Sequence, residues 1–150
     1  MELKMPKLVV KTHNKIKSYC KTGDEFAQDE RYQDALKLYW AAWDLIPEPK
    51  QDWKTSTWVL AAIGDANFLS GDYQASLESL SNAMHCPDAI GNPFLHLRLG
   101  QCQFELKKFD HAADELIRAY AIAGSEIFSN EDPKYIQFLQ TKAEDIEIPI

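Results

Sequence analysis

The stretch that decides the fold is Gly64 to Ala83, GDANFLSGDYQASLESLSNA. It reads as the end of one helix, a tight turn, and a second helix folding back. Gly64, Ala66 and Phe68 fall near the end of the first helix. Gly71-Asp72-Tyr73 supplies the turn, because glycine tolerates positive φ and aspartate caps the helix that follows. Leu77, Leu80 and Ala83 then recur at helical spacing and give the second helix one apolar stripe.

The same pattern occurs twice more. Upstream it is carried by Gly23, Phe26, Tyr32, Ala35, Tyr39, Ala42 and Pro47, and downstream by Gly100, Phe104, Phe109, Ala112, Leu116 and Ala119. Glycines align at 23, 64 and 100, and small residues at 35, 76 and 112 and again at 42, 83 and 119. All three sets are offset by 41 and then 36, so three markers keep one register.

Composition bounds the alternatives. A chain of 150 residues is about one domain, and 45% apolar content with 11% aromatics is enough for a core. No run of about 18 apolar residues exists, so no membrane span is expected. The opening MELKMPKLVVKTHNK has too short an apolar patch for a signal peptide. Cys20, Cys86 and Cys102 are odd in number and lack paired spacing, which points to a reducing cytoplasm and to cysteines that fill space.

Charge is unevenly placed. Residues 1 to 21 carry six lysines against Glu2, a balance of +5, and the remainder holds ten basic and twenty-two acidic residues, a balance of −12. Such a body repels nucleic acid and draws in a basic partner, although acids also serve simply to keep a small protein soluble.

Two linkers break the period. Pro47 to Thr55, PEPKQDWKT, is an insertion whose two prolines forbid helix continuation. Around it lie Trp40, Trp43, Trp53 and Trp58. They either wedge the longer loop between repeats or, as exposed tryptophan often does, anchor a partner through Trp53 or Trp58. Thr55, Ser56 and Thr57 are candidate caps for the helix that follows, and His85-Cys86-Pro87 ends the second repeat. In the second linker, PDAIGNP, Asn92 caps a helix whose first turn accepts Pro93. Asp132-Pro133 starts a last amphipathic helix with Tyr135, Ile136, Phe138 and Leu139, and the tail EDIEIPI is expected to be frayed or extended.

These residues resemble a tetratricopeptide-repeat (TPR) protein, whose unit is a helix-turn-helix of about 34 residues. Repeat 1, about 16–49, matches best through Tyr19, Gly23, Phe26, Tyr32, Ala35, Tyr39, Ala42 and Pro47. Repeat 2, about 57–90, has Ser76 for alanine and lacks the matching proline, since Pro87 falls one residue early. Repeat 3, about 93–126, has His96 at the tryptophan-like position and ends at Gly124. The resemblance implies an all-α fold: one domain over residues 1–150, a right-handed superhelix of three helix-turn-helix repeats, closed by a capping helix at about 132–143.

In such a family the first helix of each unit lines a concave groove. Carrying those positions across gives Lys17, Cys20, Asp24 and Gln28, then Trp58, Ala61, Asp65, Phe68 and Leu69, then Phe94, Leu97, Gln101, Phe104 and Glu105. The implied surface is aromatic with a line of acids, Asp24, Asp65 and Glu105, and suits an apolar segment flanked by Lys or Arg. Cys20 and Asp24 replace the lysine and asparagine of a carboxylate clamp, which disfavours capture of a peptide C-terminus.

Catalytic and metal readings find little support. His85 with Cys86, or His96 with Cys102, fits no zinc spacing, and GDANFLSG lacks the lysine and strand of a phosphate loop. His13 and His111 read as surface residues. No catalytic residue, metal or cofactor is therefore expected, and the implied class is a non-enzymatic protein-binding scaffold.

The segments GDANFLSGDYQASLESLSNAM, IGNPFLHLRLGQ and EDPKYIQFL are similar to those of small bacterial TPR proteins that accompany secreted toxins. That resemblance implies an immunity protein binding a basic toxin domain. The alternatives are a type III secretion translocator chaperone, also compact, acidic and of three repeats, and a structural homodimer or adaptor that associates through exposed tryptophans.

Overall fold

The computed structural model describes residues 8–149, so the lysine-rich opening as far as Lys7 and the last residue of the tail, Ile150, lie outside them. Among the described residues there are seven α-helices, in order: α1 Val10–Gln28, α2 Tyr32–Asp44, α3 Lys54–Leu69, α4 Tyr73–Ala83, α5 Pro93–Glu105, α6 Phe109–Ala123 and α7 Pro133–Lys142. Single turns of 3₁₀ helix at Lys50–Asp52 and Ser125–Phe128 complete the chain, and no strand is present among the described residues. The fold is all-α, as its periodicity predicts. Backbone contacts group into two units, Met1–Ala89 and Ile90–Ile150, the first holding hairpins α1/α2 and α3/α4 and the second α5/α6 with α7.

Each hairpin closes through the same turn. Glu30, Gly71 and Lys107 stand at φ 60°, 85° and 63°, in the left-handed region. The next amide in each case reaches back five residues: Arg31 N–H to Phe26 O at 2.9 Å, Asp72 N–H to Asn67 O at 2.9 Å, and Lys108 N–H to Gln103 O at 2.7 Å. That bond satisfies a carbonyl left open at the helix end. Only the middle turn has glycine for this conformation and an aspartate whose side chain caps the next helix, Asp72 Oδ1 accepting from Ala75 N–H at 3.2 Å.

Close crossing of the paired helices explains the aligned glycines. A Cβ on Gly23 would stand 2.6 Å from the Tyr39 ring, one on Gly64 2.6 Å from Leu80, and one on Gly100 2.8 Å from Leu116. Large side chains of the second helix thus occupy the space that glycine leaves on the first. Ala35, Ala42, Ala83, Ala112 and Ala119 are fully buried, as the register requires. Ser76 replaces alanine without an orphaned hydroxyl, because its Oγ donates to Gly64 O at 2.6 Å.

The Trp-containing insertion bonds to itself. Lys50 Nζ donates to Trp43 O at 2.9 Å and also to Ile46 O, placing a cation at the C-terminal end of α2. Trp53 Nε1 donates to Pro47 O at 2.9 Å, and its ring packs on the apolar core of this unit. Thr55, Ser56 and Thr57 do not cap α3, which corrects the sequence expectation: Trp53 takes the cap position with no side-chain bond. Ser56 Oγ instead donates to Lys50 O, and Thr57 Oγ1 to Pro87 O at 2.7 Å, so both hydroxyls tie linkers to the helix.

Asn92 does cap α5, accepting from Phe94 N–H at 3.0 Å and Leu95 N–H at 3.3 Å, and Asp132 caps α7, accepting from Lys134 N–H at 2.9 Å. Beyond α7 the tail is irregular, and Tyr120 Oη accepts from Glu147 N–H at 2.9 Å.

Candidate functional site

In the first unit, α1 and α3 bound a concavity of about 490 Å³ lined by Asn14, Lys17, Ser18, Lys21, Asp24 and Trp58. Residues 14, 17, 18, 21 and 24 follow one another at helical spacing, so α1 turns a single polar stripe toward the hollow. Trp58 stands on the first turns of α3 with 41% of its surface exposed. A large aromatic exposed above a polar floor can bury an apolar side chain while lysines and a carboxylate fix its flanks.

Two buried groups lie beneath this floor. Tyr39 Oη donates to Asp24 Oδ1 at 2.6 Å. Burial above all, then that bond and the charges of Asp24, Cys20 and Asp65, hold the Tyr39 phenol protonated far above its ordinary range. The Cys20 thiol is pushed up to about 11, first by burial and then by the Asp24 charge. Cys20 therefore stays a neutral thiol at physiological pH and is a poor nucleophile.

Of the other positions expected in this unit, Gln28 is exposed one turn beyond Asp24, and Asp65 is half-buried. Phe68 is half-buried with its ring tilted on Tyr73 at 5.5 Å. Trp53 is held by the insertion as described, away from the hollow's lining.

The equivalent positions of the second unit have other work. Leu97 and Gln101 are interior, contrary to the groove-lining place the resemblance gives them. Gln101 Oε1 accepts from Arg98 Nη1 at 2.8 Å, its Nε2 donates to Glu131 Oε1 at 2.7 Å, and Arg98 pairs with the same carboxylate. Phe94 is half-buried, with the Arg98 guanidinium 5.3 Å from its ring centre. Phe104 meets Phe109, Tyr135 and Phe138 edge-on at 5.6, 5.3 and 5.1 Å. Glu105 accepts from Tyr135 Oη at 2.7 Å and pairs with Lys134. The carboxylate that was to extend the acidic line is thus bonded by α7.

His96 is also structural. Gly91 N–H donates to its Nε2 at 2.9 Å, so the ring proton sits on Nδ1, 2.6 Å from Glu115 Oε2. Both nitrogens are taken by the protein. Among the described residues no group of three His, Cys, Asp or Glu side chains is placed to hold a metal ion, and no helix is long and apolar enough to cross a membrane.

No family model and no curated protein matches this sequence. Solved structures do match. The first TPR domain of human RPAP3 is 17% identical with a TM-score of 0.68, over 87% of this chain and 96% of that one. The Yersinia enterocolitica type III secretion chaperone SycD, in complex with a peptide of the translocator YopD, is 17% identical with a TM-score of 0.67, over 85% and 92%. MamA is 18% identical with a TM-score of 0.67, over 86% and 67%. At these identities the likeness establishes the fold, which is tetratricopeptide-like.

Proposed function

We propose that this chain is a non-catalytic scaffold that binds another polypeptide on the α1/α3 face of its first two repeats, with an apolar residue of that client against Trp58. The observation that carries the reading is Trp58 itself, a half-exposed indole over a hollow walled by Lys17, Lys21 and Asp24. Central aromatic residues in a concave setting are the usual energetic anchors of protein interfaces. The surplus of acid in the whole chain, −7, steers a basic client from a distance, while at the hollow itself Lys17 and Lys21 suit an acidic flank of that client and Asp24 a basic one.

A secreted toxin domain, neutralised in the cytoplasm of the producing cell, is the client that the sequence resemblance supports. Cys20, Cys86 and Cys102 are buried and form no disulfide, which agrees with a reducing compartment. The immunity reading requires a toxin domain encoded beside this gene: co-expression with it should restore growth, and Trp58→Ala should abolish the rescue. No rescue and no complex would end the immunity reading.

A second reading, chaperoning of a secreted translocator, is favoured by the likeness to SycD, which was solved with a translocator peptide. In that case secretion-apparatus genes would flank this one, and an apolar segment of the translocator would co-purify with it.

A further inference from the structure

A second surface lies on the outer side of α2. Gln33, Leu36, Lys37, Trp40, Ala41 and Asp44 recur three or four residues apart and line an open hollow of about 510 Å³ on that helix alone. Ala35, Tyr39 and Ala42 turn the other way, into the core, and Leu36 at the edge of the stripe is buried with them. Trp40 keeps 43% of its surface exposed and is braced edge-on by the Trp43 ring at 6.5 Å. That contact restricts the indole and lowers the entropic cost of ordering it at an interface.

We propose that this stripe pairs with the same stripe of a second copy of the chain, the two α2 helices running antiparallel about a twofold axis between Trp40 and Ala41. The argument is charge and shape self-complementarity. Lys37 and Asp44 are both exposed and share the stripe. Seven residues separate them, about 10 Å along the helix, too far to pair with each other. Neither has an ion pair among the described residues. The proposed axis exchanges 37 with 44 and 40 with 41, so each Lys37 meets the partner copy's Asp44 and each Trp40 lies on a small alanine. A parallel arrangement would instead set lysine against lysine. An isologous interface of this kind needs one patch complementary to itself, which this stripe is. It is independent of the α1/α3 face, which leaves that face free for a client.

Sedimentation of the full chain across about 1 to 100 μM tests the proposal. The wild type should move from monomer to dimer with concentration, and Trp40→Ala should remain monomeric. Lys37→Asp and Asp44→Lys should each weaken association about tenfold or more, by setting like charges opposite one another. The double swap should return it to the wild-type range, with circular dichroism of every variant unchanged. A wild type monomeric throughout, a dimer indifferent to Trp40→Ala, or a double swap as weak as either single change would each overturn the proposal.

Discussion

The first two repeats and the third carry the same pattern and put it to different use. On α1 and α3 the positions expected to face a groove include the exposed residues Asp24, Gln28 and Trp58. On α5 the counterpart of Asp24, Gln101, is interior, that of Gln28, Glu105, is engaged by α7, and that of Trp58, Phe94, is half-buried. The difference teaches that a repeat motif fixes which side chains point away from the hairpin, whereas the next element in the chain decides whether they meet solvent or protein. A terminal repeat has its apolar face covered by a cap, and here the cap uses residues that an internal repeat would leave for a client.

Substitutions at the crossings should have the largest effect. Ala112→Asp places a carboxylate in a site of zero exposure, and we expect a loss of about 3–5 kcal/mol in urea unfolding. An unchanged midpoint would break the register common to all three repeats.

The closed side can be opened next. Glu131→Ala leaves Arg98 and Gln101 without their shared acceptor, and a loss of about 2–3 kcal/mol is expected, with faster amide exchange in α7. If α7 stayed protected, the Arg98–Gln101–Glu131 cluster would not be what seats the cap.

The turns offer a finer contrast. Gly71 is strain-free at positive φ with open space around it, while Glu30 holds the same conformation with a side chain. Gly71→Ala should therefore cost about 1 kcal/mol, and Glu30→Gly should gain about 0.5–1 kcal/mol, both read as thermal midpoints. Equal signs for the two changes would mean that the turns are not equivalent.

Much of this fold is legible in the sequence because it is local. Helical spacing from Leu77 to Ala83, the glycines at 23, 64 and 100, and the caps Asp72, Asn92 and Asp132 all act within a few residues or at a fixed offset. Misreadings arise where a distant segment competes for the same group. Ser56 and Thr57 look like caps, yet their hydroxyls go to Lys50 and to Pro87, thirty residues from Thr57. Gln101 looks like a groove residue until Glu131, also thirty residues away, takes its amide. Periodicity carries no information about such pairings. Nor does it reveal that Lys50 folds back onto Trp43 and Ile46, or that Tyr39 reaches Asp24 beneath the hollow. The self-complementary stripe on α2 was readable in principle, as a lysine and an aspartate seven apart around Trp40, but only the structure shows that nothing within the described chain neutralises them.

The most direct test is calorimetric titration of the polypeptide encoded by the neighbouring gene into the wild type, Trp58→Ala and Glu105→Gln. The account predicts that Trp58→Ala weakens binding about thirtyfold or more while Glu105→Gln leaves it nearly unchanged. Full affinity in Trp58→Ala together with a large loss in Glu105→Gln would contradict it.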